Sequence, residues 1–294
     1  KFNTNNVTSG NSMFTGSTKL IGGSGTTYNS SYVDKTYARI DGGTSNPGYF
    51  TDVADKDIPE PNSFATDSWK TIAKAARTNN TGKYNVGDTR TIDMGDYGTH
   101  TLRIANTTTP SECSKTGFSQ SACGFVFEFV DIITTHNMND AATNVGGWPA
   151  SSMYAFVNND IYNALPSELR NVIIDTTTVT GHGSTSGETN FISTDKLYLL
   201  STAEIWLEGS SNQIGEYDTA RDVTRQLDYY KNSNTDTVNK NSTIKMYNGT
   251  SADWWTRSAR SDIIYNFIYV SVNGGWGVSG SNRLYGVSPA FRIG

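Results

Sequence analysis

The sequence predicts an α+β protein in which short strands form the body and two helices pack against them. Aromatic residues make up 12% of the 294 residues and charged residues only 17%. Serine, threonine, asparagine and glycine dominate the remainder, which favours a β-rich body with many turns over a disordered chain. The most apolar run, Gly124–Ile133, predicts a central buried strand. Apolar residues at helical spacing predict a helix on either side of it.

Both predicted helices begin at residues suited to an N-cap. Asp67-Ser68 precedes residues 69–80, and the apolar face of this helix comprises Trp69, Ile72, Ala73 and Ala76. Ser151 or Ser152 precedes the second helix, whose apolar face comprises Met153, Phe156, Val157, Ile161 and Leu165. Pro166-Ser167 ends the second helix, and a short helix SELRNVI is predicted after it.

The remaining segments predict strands, loops and an N-terminal extension. Residues 1–65 are rich in Asn, Thr, Ser and Gly and end in a Pro/Asp-rich connector, which is typical of a linker or stalk. We therefore expect the folded domain to span residues 66–294. The sequence predicts strands at Thr99–Asn106 and Lys196–Leu200 and an exposed loop at Thr176–Asn190.

Charge and hydropathy exclude several classes of protein. The net charge is −5, and no cluster of Lys and Arg is present, which disfavours nucleic acid as a partner. No run of about 18 apolar residues is present, so no membrane span is predicted in this chain. No signal peptide is visible.

The two cysteines, Cys113 and Cys123, flank a glycine-containing loop. A disulfide between them would suit an oxidising exterior, and two buried free thiols are the alternative. Neither a zinc site nor a redox CxxC motif can be built from them.

No residue pattern points to catalysis, a metal ion or a cofactor. His136 with Asp131 or Asp140 and Ser151 supplies the residue types of a triad, but their spacing specifies no nucleophile elbow. A histidine satisfied at a strand-to-helix corner explains His136 more simply. Glu60-Pro61-Asn62 matches a sugar-binding tripeptide of C-type lectins but lies in the connector, and no EF-hand pattern occurs. We predict no catalytic residue, metal site or cofactor.

The C-terminal stretch Trp254–Gly294 has no clean helical or strand periodicity. The run Asp262–Tyr269 mixes aromatic, aliphatic and polar residues, so a single face cannot hold all its apolar groups. Either this run is buried on both sides, or some of its aromatic and aliphatic side chains lie in solvent. Exposed clusters of this kind are typical of recognition surfaces.

The frame WW-x-RS…F-x-YV…NG-x-W…GVSPAFRI in this stretch resembles the C-type lectin fold of the formylglycine-generating-enzyme type. More narrowly, it is similar to variable proteins that bacterial and phage retroelements diversify. The upstream segments DYGTHTLRIANTTTPSECSKTGFSQSACGF, IITTHNMN, GGWPASSMYAFVNNDIYNALP and STDKLYLLSTAEIW resemble a subgroup of surface proteins from gut-type bacteria. The resemblance implies two helices packed on a small twisted antiparallel sheet with long loops. It also implies a variable region at about residues 254–294, formed by mutagenesis of template adenines in Asn-type codons.

The resemblance divides this region into scaffold and variable positions. Rewritten Asn codons cannot yield Lys, Glu, Gln or Met, and all 28 of these residues in the chain lie outside Ser258–Ser288. Phe267, Val270, Val272 and Trp276 match scaffold positions. The positions implied for ligand binding are Arg260, Asp262, Ile263, Ile264, Tyr265, Asn266, Ile268, Tyr269, Ser271, Gly277, Val278, Ser279, Arg283, Leu284 and Tyr285.

The resemblance thus implies a non-enzymatic ligand-binding protein displayed on the extracellular cell surface, with its anchor outside this chain. Its ligand would be a protein or glycan on another cell or on a host. An oxidase related to formylglycine-generating enzymes is the first alternative, although no cysteine lies in the C-terminal half where that chemistry would need one. A plain structural or stalk protein, with the C-terminal aromatic residues all buried, is the second.

Overall fold

The computed structural model describes residues 4, 6–52, 55–184, 189–209 and 213–294 of the chain. It divides into two compact units, Lys1–Tyr84 together with Gly294, and Asn85–Ile293. The division falls after Tyr84 rather than after the predicted residue 65, so the first predicted helix belongs to the N-terminal unit. Each unit has its own core and is described separately.

The N-terminal unit folds around aromatic side chains rather than forming an extended linker. Phe14 and Tyr49 pack edge to face with their ring centroids 4.9 Å apart. The buried Asp41 carboxylate accepts hydrogen bonds from the backbone amides of Ser24, Thr26, Gly43 and Gly48. These bonds tie distant loop segments together, which explains how a chain so poor in apolar residues becomes compact.

The first predicted helix is present as α1 (Trp69–Arg77), somewhat shorter than the predicted residues 69–80, and it lies in the N-terminal unit. The Ser68 side chain caps it by accepting a hydrogen bond from the Thr71 amide. Trp69, Ile72 and Ala73 are buried, whereas Ala76 is only half-buried. Asn79, in the left-handed conformation (φ 55°), follows the end of the helix.

The second unit is mixed α and β, with strands in the majority, so the α+β prediction is confirmed. Its strands are β1 (Thr89–Asp93), β2 (Thr99–Asn106), β3 (Val126–Phe129), β4 (Thr134–His136), β5 (Thr176–Thr180), β6 (Phe191–Asp195), β7 (Tyr198–Leu199), β8 (Lys245–Tyr247), β9 (Thr250–Ala252), β10 (Trp254–Ala259), β11 (Asn266–Val270), β12 (Trp276–Gly280), β13 (Tyr285–Val287) and β14 (Pro289–Arg292). Its helices are α2 (Ser152–Phe156), α3 (Tyr162–Ala164), α4 (Ser167–Arg170), α5 (Thr202–Ile205) and α6 (Asp228–Asn232). A π-helical turn (Val157–Ile161) joins α2 to α3.

Two larger sheets organise this unit. One has the strand order β1-β2-β3-β14-β7 and is antiparallel throughout. The other has the order β12-β11-β10-β13-β4, and its β10–β13 pair is parallel, where an antiparallel sheet was predicted. Strand β13 leads directly through Ser288 into β14, so the chain passes from one sheet to the other within a few residues.

The predicted central strand is present but shorter than expected. All four residues of β3 are buried, and Phe127 stacks on Phe291 of the neighbouring strand β14. The predicted exposed loop at Thr176–Asn190 is wrong for its first part, because Thr176–Thr180 forms strand β5 and pairs with β6. Thr178 is buried, and its hydroxyl donates to the Asp195 carboxylate. The later residues 185–188 lie outside the described part of the chain.

Buried ion pairs connect distant segments of this unit. Glu128 accepts hydrogen bonds from Arg103, Lys245 and Tyr230. Burial alone would raise the pKa of Glu128, but the two cationic neighbours outweigh it and hold the pKa at about 2. The Glu128 cluster therefore joins β2, β3, β8 and α6 through charges that compensate one another.

Cys113 and Cys123 form a disulfide that closes a short loop between β2 and β3. Among the helices of the described residues, none is long and apolar enough to cross a membrane.

Candidate functional site

Strand β10 is the fixed base of the C-terminal stretch. All six of its residues are buried, including the adjacent Trp254 and Trp255, whose side chains point to opposite faces of the sheet. The Trp254 indole N–H donates to the Thr243 carbonyl, and that of Trp255 donates to the His136 carbonyl, each at 3.0 Å. Both tryptophans are therefore held by groups outside Ser258–Ser288.

Arg257 and Ser258 anchor the same strand through buried carboxylates. The Arg257 guanidinium binds Glu204 with two hydrogen bonds of 2.5 and 2.6 Å, and the Ser258 hydroxyl donates to Asp218. Burial would raise the pKa of Glu204, but the Arg257 charge and its hydrogen bonds outweigh it and lower the pKa. We call Trp254–Ser258 and the C-terminal Val287–Ile293 the frame.

Three rings pack together on one face of the second sheet, and we call them the aromatic patch: Trp255, Tyr269 and Tyr285. The ring centroids of Tyr269 and Tyr285 are 4.7 Å apart, and Tyr285 lies 4.7 Å from Trp255. Trp255 is fully buried beneath the two tyrosines, which are half-buried. Each tyrosine thus combines a supported ring with a partly open surface.

Polar groups accompany these rings. The Tyr285 hydroxyl donates to Ser279 Oγ at 3.2 Å. The Tyr269 hydroxyl is neutral and able to donate at neutral pH, as for any tyrosine, and burial raises its pKa further. The patch therefore offers flat apolar surface together with hydrogen-bonding groups, a combination that favours ligand contact.

Two residues from upstream segments extend the patch. His136 of β4 lies directly across from Tyr285 in the antiparallel register. Its ring stacks on Phe156 of α2 with a centroid separation of 4.2 Å, and His136 Nδ1 bonds to the Asn137 carbonyl. Because both rings are half-buried, the surface continues from the C-terminal stretch onto β4 and α2.

The buried side chain of Asn144 contacts the loop Arg260–Tyr265, which connects β10 to β11, at several points. Asn144 Nδ2 donates to the carbonyls of Arg260, Ile263 and Asn266, each at 2.9 Å. The Asn144 backbone amide also donates to the Ile264 carbonyl at 2.7 Å. One asparagine outside the C-terminal stretch thus supports this loop, together with the Glu216 and Tyr217 carbonyls that accept hydrogen bonds from Ser261.

The loop presents apolar side chains to solvent. Ile264 is 62% exposed and Tyr265 is 46% exposed. The Ser281 amide donates to the Tyr265 carbonyl, which brings the β12–β13 loop and its Leu284, 67% exposed, to the same end of the sheet. Exposed Val145 follows Asn144 directly, and we call Val145, Ile264, Tyr265 and Leu284 the rim.

Charges at this end of the sheet are few and largely paired. Arg260 donates to both carboxylate oxygens of Asp262, at 2.5 and 2.9 Å, and its guanidinium lies 4.8 Å from the Tyr217 ring centroid. The hydrogen bonds from Arg260 lower the pKa of Asp262. Arg283 is exposed in the β12–β13 loop.

The structure brings some of the predicted ligand-binding residues together and separates others. The patch and rim contain Tyr269, Tyr285, Ile264, Tyr265 and Leu284. Gly277 and Ser279 lie beside the patch on β12, and Arg260, Asp262, Ile263 and Arg283 lie in the two loops near the rim. Ser271 is in the turn at the opposite end of β11, and Val278 pairs with Ile268 on the opposite face from Tyr269.

The predicted exposure of Asn266 and Ile268 is wrong, because both side chains are buried. Side chains alternate along a strand, so these two residues share the face opposite to Tyr269, where Val270 is also fully buried. Val272, expected in the scaffold, is 47% exposed because it lies in the turn that follows β11.

Sequence reasoning missed His136, Phe156, Asn144 and Val145 as contributors to the site. His136 had been interpreted as a satisfied corner histidine, and Phe156 as part of a helix core. No local signal links them to a stretch more than 100 residues downstream, because strand pairing between β4 and β13 creates the proximity.

The serine of the catalytic triad considered from the sequence, Ser151, has a structural role. Ser151 is the N-cap of α2, where its hydroxyl donates to the Trp148 carbonyl and accepts from the Tyr154 amide. Across the described ranges, no group of three or more His, Cys, Asp or Glu side chains is placed to hold a metal ion.

Comparison with known proteins assigns a family. A family described as Domain of unknown function (DUF6273) matches residues 128–294, which is more than half of the chain and includes the frame, the patch and the rim. No curated protein and no solved structure matches the chain. The chain therefore belongs to the DUF6273 family.

Proposed function

We propose that this chain is a non-enzymatic ligand-binding protein displayed on a cell surface, whose C-terminal stretch is a hypervariable site diversified by a retroelement. The observation that carries the proposal is the contrast within that stretch. Its frame is buried, whereas the tyrosines of the patch and the side chains of the rim face solvent on neighbouring strands and loops.

The patch and rim have the composition of a recognition surface. Large, rigid aromatic side chains lose little conformational entropy on contact and dominate binding energy at interfaces. Tyr269 and Tyr285 are already held against Trp255, which reduces the cost of ordering them. The exposed aliphatic side chains of Ile264 and Leu284 gain free energy when a partner removes them from water.

The same architecture suits a site whose side chains change between copies. The partners of Trp254, Trp255, Arg257 and Ser258 include Thr243, His136, Glu204 and Asp218, all outside Ser258–Ser288. Asn144 holds the loop Arg260–Tyr265 through backbone carbonyls, which every residue type provides. Replacing the presented side chains therefore leaves these scaffold bonds in place.

A C-type-lectin-like fold is part of the proposal and rests on the sequence motifs of the C-terminal stretch. The motif WW-x-RS forms β10, F-x-YV lies in its neighbour β11, and GV lies in its other neighbour β13. These three motifs thus lie side by side in one sheet, whereas the following PAFR forms β14 of the other sheet.

The ligand class favoured by this surface is a protein rather than a glycan. Aliphatic rim side chains such as Ile264 and Leu284 match the apolar centre of a protein interface better than a hydroxyl-rich sugar. The disulfide between Cys113 and Cys123 favours display in an oxidising exterior. It also occupies both cysteines of the chain, which disfavours the oxidase alternative.

The first experiment measures binding of the labelled full chain to a panel of bacterial and epithelial cells by flow cytometry. Cells treated with protease or with glycosidases distinguish a protein ligand from a glycan. We expect Tyr285→Ala to weaken binding by about 30-fold, as truncation of an interface anchor worth about 2 kcal/mol does.

A matched pair of leucine variants controls for surface effects. Leu284→Ser in the rim is expected to weaken binding, whereas Leu207→Ser, at a leucine 58% exposed outside the rim, is not. Unchanged binding by both Tyr285→Ala and Leu284→Ser would refute the proposed site. Sequencing sister copies tests diversification, which requires differences confined to codons of the presented residues with a reverse transcriptase gene nearby.

A further inference from the structure

The ring of Tyr269 lies directly over Gly277 on the neighbouring strand. A Cβ atom added at Gly277 would lie 2.6 Å from Tyr269 Cζ and 2.7 Å from its Cε1 and Oη. These separations are far shorter than any real carbon contact. A residue other than glycine at position 277 and the present position of the Tyr269 ring therefore exclude each other.

The backbone of β12 gives no other reason for a glycine here. Gly277 does not have the positive φ that only glycine adopts readily, unlike Gly274 (φ 81°) in the preceding turn. It pairs in regular antiparallel register with Tyr269. Glycine also weakens a strand interior, so its presence is best explained by the ring that covers it.

Movement of the Tyr269 ring would change the patch. That ring packs 4.7 Å from Tyr285 and 6.2 Å from Trp255, whereas the strand register fixes its backbone. Since Tyr269 is half-buried, the open direction for the ring is toward solvent. Rotating the Tyr269 ring outward would expose Trp255. Tyr269 would then project into solvent instead of packing against Tyr285.

We propose that Gly277 is a specificity-determining residue that acts through Tyr269 without itself contacting the ligand. Its missing side chain lets the Tyr269 ring lie across β12 and join the patch, so residues 269 and 277 form one unit of specificity. This inference rests on the proposed binding function. Sister copies should then carry an aromatic residue at 269 together with glycine at 277, and bulkier residues at 277 with small ones at 269.

The test needs no ligand. The full chain is labelled with 3-fluorotyrosine, and ¹⁹F NMR resonances are assigned by Tyr269→Phe and Tyr285→Phe. We expect Gly277→Ala to shift the resonances of both tyrosines. Gly280→Ala on the same strand is the control, because its Cβ would meet only the Asn282 side-chain oxygen, at 3.1 Å. A folded Gly277→Ala protein with an unchanged Tyr269 resonance would overturn the inference.

A thermal double-mutant cycle covers the case in which Gly277→Ala folds poorly. Gly277→Ala should lower the melting temperature by several degrees when Tyr269 is present. With Tyr269→Ala it should leave that temperature unchanged or raise it, because alanine restricts the unfolded chain more than glycine does. Equal effects in both backgrounds would overturn the inference. Failure of the proposed function appears separately, as cell binding unaffected by Tyr285→Ala.

Discussion

Two arginines three residues apart show how differently the frame and the presented loop are built. Arg257 is fully buried, and its partner Glu204 comes from a distant helix. Arg260 is bound to Asp262, two residues along the same partly exposed loop. The frame is therefore connected to the rest of the unit, whereas the loop satisfies its own charges locally. Local satisfaction lets a loop change sequence without disturbing the core.

The tryptophans and tyrosines repeat this contrast. Trp255 donates its N–H to a carbonyl on β4, and its ring supports the two tyrosines above it. Tyr285 donates its hydroxyl to Ser279, within the same stretch. A binding surface whose residues change between copies needs rigid support, which Trp255 provides. It also needs hydrogen bonds among its own residues, such as the bond between Tyr285 and Ser279.

The largest effect that separates the two regions is expected from Arg257→Ala. Removing the guanidinium leaves the Glu204 carboxylate buried without its counter-charge, which destabilises folded proteins by about 3 to 5 kcal/mol. Chemical denaturation measures this loss as a lower free energy of unfolding. Arg260→Ala is the control, since a surface pair contributes at most about 1 kcal/mol. Similar losses in the free energy of unfolding for both variants would show that the frame and the loop do not differ in this way.

Two isoleucines four residues apart give the next comparison. Ile268 on β11 is fully buried and Ile264 in the loop is 62% exposed. We expect Ile268→Ala to lower the free energy of unfolding by about 2 to 5 kcal/mol through the cavity it leaves. Ile264→Ala should change it by no more than about 0.5 kcal/mol. A large loss for Ile264→Ala would place that residue in the core and remove it from the rim.

The sequence predicted helix positions well because their signals are local. The Ser68 cap, the face of Trp69 and Ile72, and the Ser151 cap all depend on residues within one or two turns. The buried frame was also predictable, since Trp254, Trp255, Arg257 and Ser258 carry the family resemblance. Their partners were not, because Glu204 and Asp218 reach β10 only through the tertiary fold.

Two of the errors, at β11 and at β5, share one physical cause. Asn266 and Ile268 were expected on the ligand-binding face because the family resemblance places variable positions there. Both faces of β11 are covered near Phe267 and Ile268, so apolar residues fill consecutive positions. The Thr-rich segment at β5 was expected to be a loop, but threonine suits a strand, and the buried Asp195 carboxylate accepts a hydrogen bond from Thr178. Composition alone does not reveal which face a partner covers.

The smallest expected effect concerns the buried carboxyl of Asp195, whose charge is expected to lower the stability of the fold. Asp195 is buried, and its Oδ2 accepts from the Trp148 indole and from Thr178, while its Oδ1 has no hydrogen-bond partner. Burial therefore outweighs these bonds and raises the pKa of Asp195 above its ordinary value of 3.8. This is the opposite of Glu204, whose pKa is lowered by Arg257.

The sign of the pH dependence follows from that shift. A carboxyl whose pKa is raised on folding contributes stability that is fully present below pH 3.8 and is lost as the pH rises through the raised value. Asp195→Asn keeps an oxygen acceptor for Trp148 and Thr178 but does not ionise. We therefore expect its melting temperature, relative to the unchanged protein, to increase as the pH rises from 4 to 7. A difference that is constant or decreases with pH would show that the ionised Asp195 stabilises the fold, as the ionised Glu204 does.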